Sequence, residues 1–202
     1  YTELQGCNSF WELVAMGQQF GLPTRLLDWT YSPLVAAHFA TEDIDYYDRD
    51  GVIWCVNIED VNANLPPSLR QKLSEQRADI FTRDILEDVA HNFTSLQALS
   101  DQPFALFFEP ASTVNRIANQ YALFSAVSDP AVTLLDLPES ECFVRLIISK
   151  KAKLEIRDKL DYINISERMI YPGLDGICRW IARRYAPLGP RYNAEHAKEE
   201  QP

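Results

Sequence analysis

The stretch that decides the fold is Gln18-Gln19-Phe20-Gly21-Leu22-Pro23-Thr24-Arg25-Leu26-Leu27-Asp28-Trp29-Thr30-Tyr31-Ser32-Pro33. It joins two segments with helical spacing, yet its two leucines and its tryptophan predict a partly buried connection. Polar side chains occur in the same span, and buried polar groups need hydrogen-bond partners. We therefore expect the working surface of the protein around residues 21–40.

Both flanks of this stretch carry helix signals. Ser9 is a good N-cap for a helix over 10–20, and Gly21 with Pro23 ends that helix. Pro33 suits the first position of a second helix, which Ser32 caps and which runs to about Ala40. The sequence thus predicts a helix, a polar and partly buried connection, and another helix.

The rest of the chain predicts a mixture of strands and helices. Apolar runs indicate strands at 51–58 (a buried one), 104–108, 121–127 and 142–149. Helices are expected at 68–75, 83–93, 151–161 and 176–185, with one turn from Ser112 or Thr113 through Ile117. Strands and helices do not alternate regularly, so we predict an α+β fold with a small mixed or split β-sheet flanked by helices. One domain is expected over 1–187, followed by a polar tail over 188–202.

Composition narrows the setting. No apolar run approaches the about 18 residues of a membrane helix, and no signal-peptide pattern occurs. Cys55 and Cys142 lie in apolar runs, which predicts buried thiols in a reducing, cytoplasmic compartment. Four scattered cysteines and three histidines predict no metal site. Dinucleotide, phosphate-loop and nucleophile-elbow motifs are absent from the sequence.

Charge leaves one partner question open. The net charge of −10 argues against broad nucleic-acid binding. Arg179, Arg183 and Arg184 nevertheless form a basic cluster near the end of the last predicted helix. This cluster either receives an anionic partner such as nucleic acid or is a solvated helix end, where cations are favoured.

The central stretch resembles the signature of the FRG domain family, roughly QHxGLPTRLLDWTxxPLxALxFA, from Gln18 through Ala40. Further similar stretches are 116–125, 159–165 and 171–176. The sequence departs from the family pattern at Gln19, where histidine is common, and at Ala122, where glycine is common. The name-giving Phe/Tyr-Arg-Gly motif is expected upstream of Tyr1.

A weaker similarity to ADP-ribosyltransferase folds implies a function. In those folds a Ser/Thr-x-Ser element runs into a helix, as Thr30, Tyr31 and Ser32 do here, and a later strand carries Glu or Gln near the ribose. The resemblance implies an enzyme that handles NAD or a similar nucleotide in bacterial stress or phage defence. It assigns catalytic roles to Arg25 and Gln120 and ligand-binding roles to Thr24, Asp28, Trp29, Thr30 and Ser32. Glu109, eleven positions upstream, is the nearest acid that precedes Gln120.

Purely structural roles are the alternative for these residues. Arg25 and Asp28 are close enough in sequence to form a structural ion pair, Trp29 suits a core, and Thr30 and Ser32 suit a turn and a cap. If they are structural, the chain is a non-catalytic ligand-sensing or protein-interaction module. Its partner is then a nucleotide-like small molecule or a macromolecule.

Overall fold

The computed structural model describes residues 9–110, 115–137 and 141–186. In chain order the elements are α1 (Phe10–Gln19), β1 (Leu26–Thr30), α2 (Pro33–Thr41), β2 (Gly51–Val56), α3 (Ile58–Ala63), α4 (Pro67–Gln76), β3 (Phe81–Thr82), α5 (Arg83–Val89), α6 (Phe93–Gln97), β4 (Ala105–Glu109), α7 (Asn115–Asn119), β5 (Ala122–Val127), β6 (Phe143–Ile148), α8 (Lys153–Tyr162), α9 (Glu167–Ile170) and α10 (Leu174–Tyr185).

The chain divides into two compact units, and neither is continuous in sequence. The first unit comprises the residues up to Tyr31 together with Val56–Val144. The second comprises Ser32–Cys55 together with the residues from Arg145 onward. The signature stretch therefore ends its strand in one unit and begins its second helix in the other.

A four-stranded sheet organises the first unit, with strand order β1-β5-β4-β3. The β1–β5 and β5–β4 pairs are antiparallel, whereas β3 and β4 are parallel. Leu26 pairs with Ala126 and Thr30 with Ala122. The antiparallel register brings the ends of β1 and β4 to the same edge as the start of β5.

Each face of this sheet covers a separate core. Leu106, Phe108 and Phe124 face the larger cluster, where they meet Trp11 of α1. The smaller cluster lies on the opposite face and contains residues of β1, α3, β4 and β5: Trp29, Val61, Phe107 and Leu123. Because side chains alternate along a strand, the faces of β1 separate Asp28 and Thr30 from Trp29.

The second unit contains α2, α8, α9 and α10 and most of the two-stranded sheet formed by β2 and β6. Val35 of α2 packs with Ile170 and Tyr171 in a small apolar cluster. Around it lie buried charged residues, including Lys153, Arg157 and Glu167. Charged residues are seldom buried unless they are paired, so the interior of this unit contains polar contacts as well as apolar ones.

The α+β class with a small mixed sheet is confirmed. Ser9 accepts a hydrogen bond from the Trp11 amide, and Ser32 accepts one from the Val35 amide, so both predicted caps form. The predicted turn at 112–113 and the tail lie outside the described residues.

Two expectations about residues 51–58 were wrong. The strand ends at Val56, and its side chains are largely exposed rather than buried. Cys55 is likewise exposed, and Cys142 is partly exposed. A two-stranded sheet cannot cover both of its faces, so apolar side chains on it stay partly in solvent.

Within the described ranges, no helix has the length and apolar character needed to cross a membrane.

Candidate functional site

Thr30 and Gln120, two of the predicted site residues, meet at the edge where β1 ends and β5 begins. The Thr30 hydroxyl donates to the Gln120 carbonyl oxygen over 2.7 Å, and the Tyr31 amide donates to the Tyr121 carbonyl oxygen over 3.1 Å. Gln120 is buried, and Tyr121 has a left-handed φ of 48°. This strained turn between α7 and β5 holds the Gln120 carbonyl against β1.

Glu109, at the end of β4, reaches the same edge. The Tyr31 hydroxyl donates to its carboxylate oxygen Oε1 over 2.7 Å. Burial raises the pKa of Tyr31, and the hydrogen bond and charge of Glu109 raise it further. The phenol therefore keeps its proton at neutral pH. We call Thr30, Tyr31, Glu109 and Gln120 the Tyr31 corner.

A second polar group lies on the face of β1 that carries Asp28. The Gln18 amide nitrogen donates to the Asp28 carboxylate over 3.3 Å and to the Leu26 carbonyl over 3.2 Å. Arg116 of α7 donates to the Gln19 carbonyl oxygen over 2.9 Å. Burial raises the pKa of Asp28, while the Gln18 hydrogen bond and the charge of Arg116 partly oppose that shift.

Gln19 adds an unusual feature to this group. Its side chain is buried, and its amide oxygen has no hydrogen-bond partner among the described residues. A buried acceptor without a donor costs free energy. This position is also one of the two where the sequence departs from the family pattern.

Arg25 lies away from both groups. Its Nη2 donates to the carbonyl oxygens of Val127 and Ser128, each over 2.9 Å, and its guanidinium stacks on Phe93 at 4.4 Å. Burial lowers its pKa, and the charge of Asp129 opposes that change. The ion pair with Asp28 that the spacing allowed does not form. Arg25 instead holds the end of β5.

The other predicted ligand residues have structural contacts. Trp29 packs on Phe107 and donates from Nε1 to the Ser125 hydroxyl over 2.9 Å. Thr24 donates to the Gln18 side chain and accepts from the Leu26 amide, so it shapes the turn before β1. Ser32 belongs to the second unit, where it caps α2.

The second unit has a polar network of its own around His38. Arg157 Nη1 lies 2.7 Å from His38 Nδ1, and His38 Nε2 lies 3.2 Å from Glu42. Arginine has only donors, so Nδ1 accepts and the ring proton sits on Nε2. The Tyr171 hydroxyl also donates to Glu42, over 2.9 Å. This network fixes α2 against α8 and the segment after α9.

The arginines proposed for nucleic acid are largely neutralised. Arg179 pairs with Asp175 over 3.1 Å, and Arg183 donates to Asp161 and Glu167. Burial raises the pKa of Glu167, but the hydrogen bond from Arg183 and the charge of Arg157 hold it below its usual value. Only Arg184 of the three has no carboxylate partner among the described residues.

Nothing in the described ranges suggests a metal centre, since no group of three His, Cys, Asp or Glu side chains is placed to hold an ion.

Comparison with known proteins gives one match. The family model of the FRG domain matches residues 3–49. The N-terminal quarter of the chain is therefore similar to the FRG domain. The matched region of the FRG domain covers α1, β1 and α2 and therefore includes Gln18, Gln19, Asp28, Thr30 and Tyr31. Glu109, Arg116 and Gln120 lie outside it. No curated protein and no solved structure matches the chain.

All four residues of the Tyr31 corner were named from the sequence, although with different roles, and Tyr31 was named only as part of the Thr30–Ser32 element and as a possible stacking face. Thr30 and Gln120 were candidates, and Glu109 was named only as the nearest acid upstream. Its position follows from β4 and β5 being antiparallel neighbours, which places the last residue of β4 beside the first residues of β5. Arg116 and the Gln18–Asp28 bond had no sequence signal beyond their place in the family-like stretches.

Proposed function

We propose that this FRG domain handles NAD or a related nucleotide at the Tyr31 corner, as an ADP-ribosyltransferase-like enzyme. The observation that carries the proposal is the 2.7 Å contact between Tyr31 and Glu109, beside the place where Thr30 meets Gln120. Glu109 supplies the carboxylate that the neutral side chain of Gln120 lacks. A cytoplasmic location and a part in bacterial stress or phage defence belong to the same proposal.

The chemistry of these side chains fits a ribose. NAD supplies a glycosidic bond whose cleavage releases nicotinamide with the bonding electron pair and leaves positive character on the ribose carbon. A carboxylate such as Glu109 stabilises that charge when it lies near the ribose hydroxyls. The ring of Tyr31, about half exposed, offers a face on which a nicotinamide or adenine ring can stack.

The pyrophosphate of NAD needs a different cation from the one the sequence suggested. Arg25 donates its hydrogen bonds to the backbone carbonyl oxygens of Val127 and Ser128. Arg116 supports this role better, because it is close enough to Asp28 for its charge to act on that carboxylate and because its carbonyl oxygen accepts from the Gln120 amide, one helical turn later. Guanidinium groups are well suited to phosphate oxygens.

The test measures binding and cleavage of labelled NAD by the wild-type chain and by Glu109→Gln. Removal of a charge that acts in the transition state lowers turnover by about a hundredfold or more while binding persists. Glu59→Gln is the matched control, because Glu59 is an exposed acid at the start of α3. Tyr31→Phe keeps the stacking face and removes only the hydroxyl.

Two results would overturn the proposal. One is the absence of NAD binding and turnover in a chain shown to be folded by circular dichroism. The other is a Glu109→Gln variant that cleaves NAD as fast as the wild type.

A second candidate function is a ligand-sensing module without catalysis. It is favoured by the engagement of Glu109 Oε1 with Tyr31 and by the structural use of Arg25. This alternative predicts that NAD or ADP-ribose binds with micromolar affinity and is recovered unchanged. Tyr31→Ala then weakens binding, whereas Glu109→Gln changes it little.

A further inference from the structure

Helix α10 in the second unit has a row of apolar side chains on the side that faces away from the interior. On the inner side, Gly176 is buried and Arg183 binds Glu167 and Asp161. On the outer side lie Leu174 and Tyr185, which are 79% and 84% exposed. Surface helices ordinarily bury their apolar side, so this orientation leaves an apolar stripe in solvent.

The stripe has the spacing of a helix–helix seam. Leu174, Ile177, Ile181 and Tyr185 are three, four and four residues apart, and the two isoleucines are more than two-fifths exposed. Residues with this spacing form one row along a helix, and such rows fit between the side chains of a second helix. The row runs the length of α10, about 18 Å for a helix of this size.

One edge of the stripe is positively charged. Arg168 and Arg184 stack on Trp180, at 4.0 and 4.2 Å from its ring. Neither guanidinium has a carboxylate partner among the described residues, in contrast to Arg179 and Arg183 of the same helix. A partner that covers the stripe meets two unneutralised cations held in place by an aromatic ring.

We propose that the outer face of α10 docks an amphipathic helix of a partner protein that carries acidic residues along one edge of its apolar side. Apolar contact supplies the affinity, and Arg168 and Arg184 select the acidic edge and set the orientation. This inference does not depend on nucleotide handling at the Tyr31 corner.

Two other occupants fit less well. The only acid of α10 is Asp175, which already binds Arg179, so a second copy of α10 has no free carboxylate for Arg184. An anionic membrane surface matches the arginines, but the chain carries a net charge of −10, which opposes approach to such a surface.

The test uses two labelled synthetic peptides of about three heptads, both with leucine on the apolar side. One peptide has glutamate along one edge, and the other has lysine at the same positions. Fluorescence anisotropy with the full chain is expected to show the glutamate peptide binding at least about tenfold tighter. The Arg168→Glu/Arg184→Glu double variant is expected to reverse that preference.

Matched variants locate the contact. Ile181→Asp and Tyr185→Ser are each expected to weaken binding of the glutamate peptide about tenfold. Tyr162→Ser is the control, because Tyr162 is an equally exposed tyrosine, at 88%, on α8. It is expected to leave binding within about twofold of the wild type. Circular dichroism confirms that each variant is folded, and the charge-reversal pair answers the question without altering the stripe.

Several outcomes would overturn the proposal. If both peptides bind equally well, or if neither binds, the partner does not carry the acidic edge that we propose. A wild-type dimer in sedimentation that Ile181→Asp converts to monomer makes a second copy the occupant. Binding to phosphatidylserine vesicles that Ile181→Asp abolishes assigns the stripe to a membrane surface.

Discussion

Replacing Gly176 with alanine tests how closely α9 and α10 are packed. A β-carbon at this position would lie 1.8 Å from the Tyr171 carbonyl oxygen and 2.5 Å from that of Glu167. Both obstacles are backbone atoms, and real β-carbons essentially never approach another atom closer than 3.0 Å. The helix must therefore move by about 1.2 Å, which is the difference between 3.0 and 1.8 Å.

Whether Gly176→Ala raises or lowers the stability shows which of two opposing contributions is larger. In an unhindered helix, replacing glycine with alanine stabilises by about 1 kcal/mol. Here overpacking costs about 1–3 kcal/mol. The shift also stretches the bonds from Arg183 to Asp161 and Glu167, and hydrogen bonds to charged groups contribute about 1.5–3 kcal/mol. We expect Gly176→Ala to lower the free energy of unfolding by about 3 kcal/mol.

Urea unfolding followed by circular dichroism and by tryptophan fluorescence measures this change. Two probes are needed because the chain contains two units, which need not unfold together. Ala182→Gly, at an exposed position of the same helix, is the control and should cost only about 1 kcal/mol. A Gly176→Ala variant as stable as the wild type, or more stable, would refute the close packing of α9 and α10.

Three further predictions concern the first unit. Arg25→Ala is expected to lower the free energy of unfolding by about 1.5–3 kcal/mol, because the carbonyl oxygens of Val127 and Ser128 lose a charged donor. Urea unfolding measures this change, and an unchanged free energy of unfolding would contradict the structural role of Arg25. Gln19→Leu is expected to leave the stability unchanged or to raise it by up to about 1 kcal/mol, since it removes a buried acceptor without a donor. A clearly lower melting temperature in thermal unfolding would show that the amide has a partner. The pKa of Asp28 is raised on folding, so its contribution is most favourable below the usual carboxyl pKa near 4 and declines as pH rises through the folded value. Asp28→Asn should therefore flatten the fall in stability above pH 4, and an identical pH profile for both proteins would refute this.

Local signals predicted several of the helices, but α3 and α9 were not predicted, and the single helix expected over 83–93 was wrong, since α5 ends at Val89 and α6 begins at Phe93. Ser9 and Ser32 cap α1 and α2 because each hydroxyl accepts from an amide two or three residues later, which requires no distant partner. The boundaries of α4 and α8 lie within two residues of the predicted ones for the same reason. Most of the strands were also found, because runs such as 104–108 are continuously apolar.

No local pattern predicted strand β1, although it lies inside the most informative stretch, and only the ADP-ribosyltransferase resemblance implied a strand that ends at Thr30. Its five residues include Asp28 and Thr30, so the run does not look like a buried strand. Its pairing with β5 depends on residues far along the chain, which no local pattern shows. The role of Arg25 was hidden for the same reason, since its acceptors follow the distant end of β5.

Exposure was the hardest property to predict. The pattern at 51–56 indicates a strand correctly but does not show that, among the described strands, β6 alone pairs with it. The outward stripe of α10 could not be predicted either, because hydrophobic spacing gives the apolar side of a helix and not its direction. Buried Arg157 and His38 likewise depend on each other for partners across separate segments.

Because β1 pairs with a strand made about 100 residues later, it remains unpaired during much of the chain's synthesis. Leu26 pairs with Ala126, and at about 5–20 residues per second a ribosome needs roughly 5–20 s to make the chain between them. During that time the signature strand has been made, but β5, its one neighbour among the strands that the structure describes, has not. Such an unpaired strand is prone to pair with other chains, and a fragment that stops near residue 49 keeps it in that state. Strand β1 of the signature thus gains its partner in the sheet only after translation has passed residue 127.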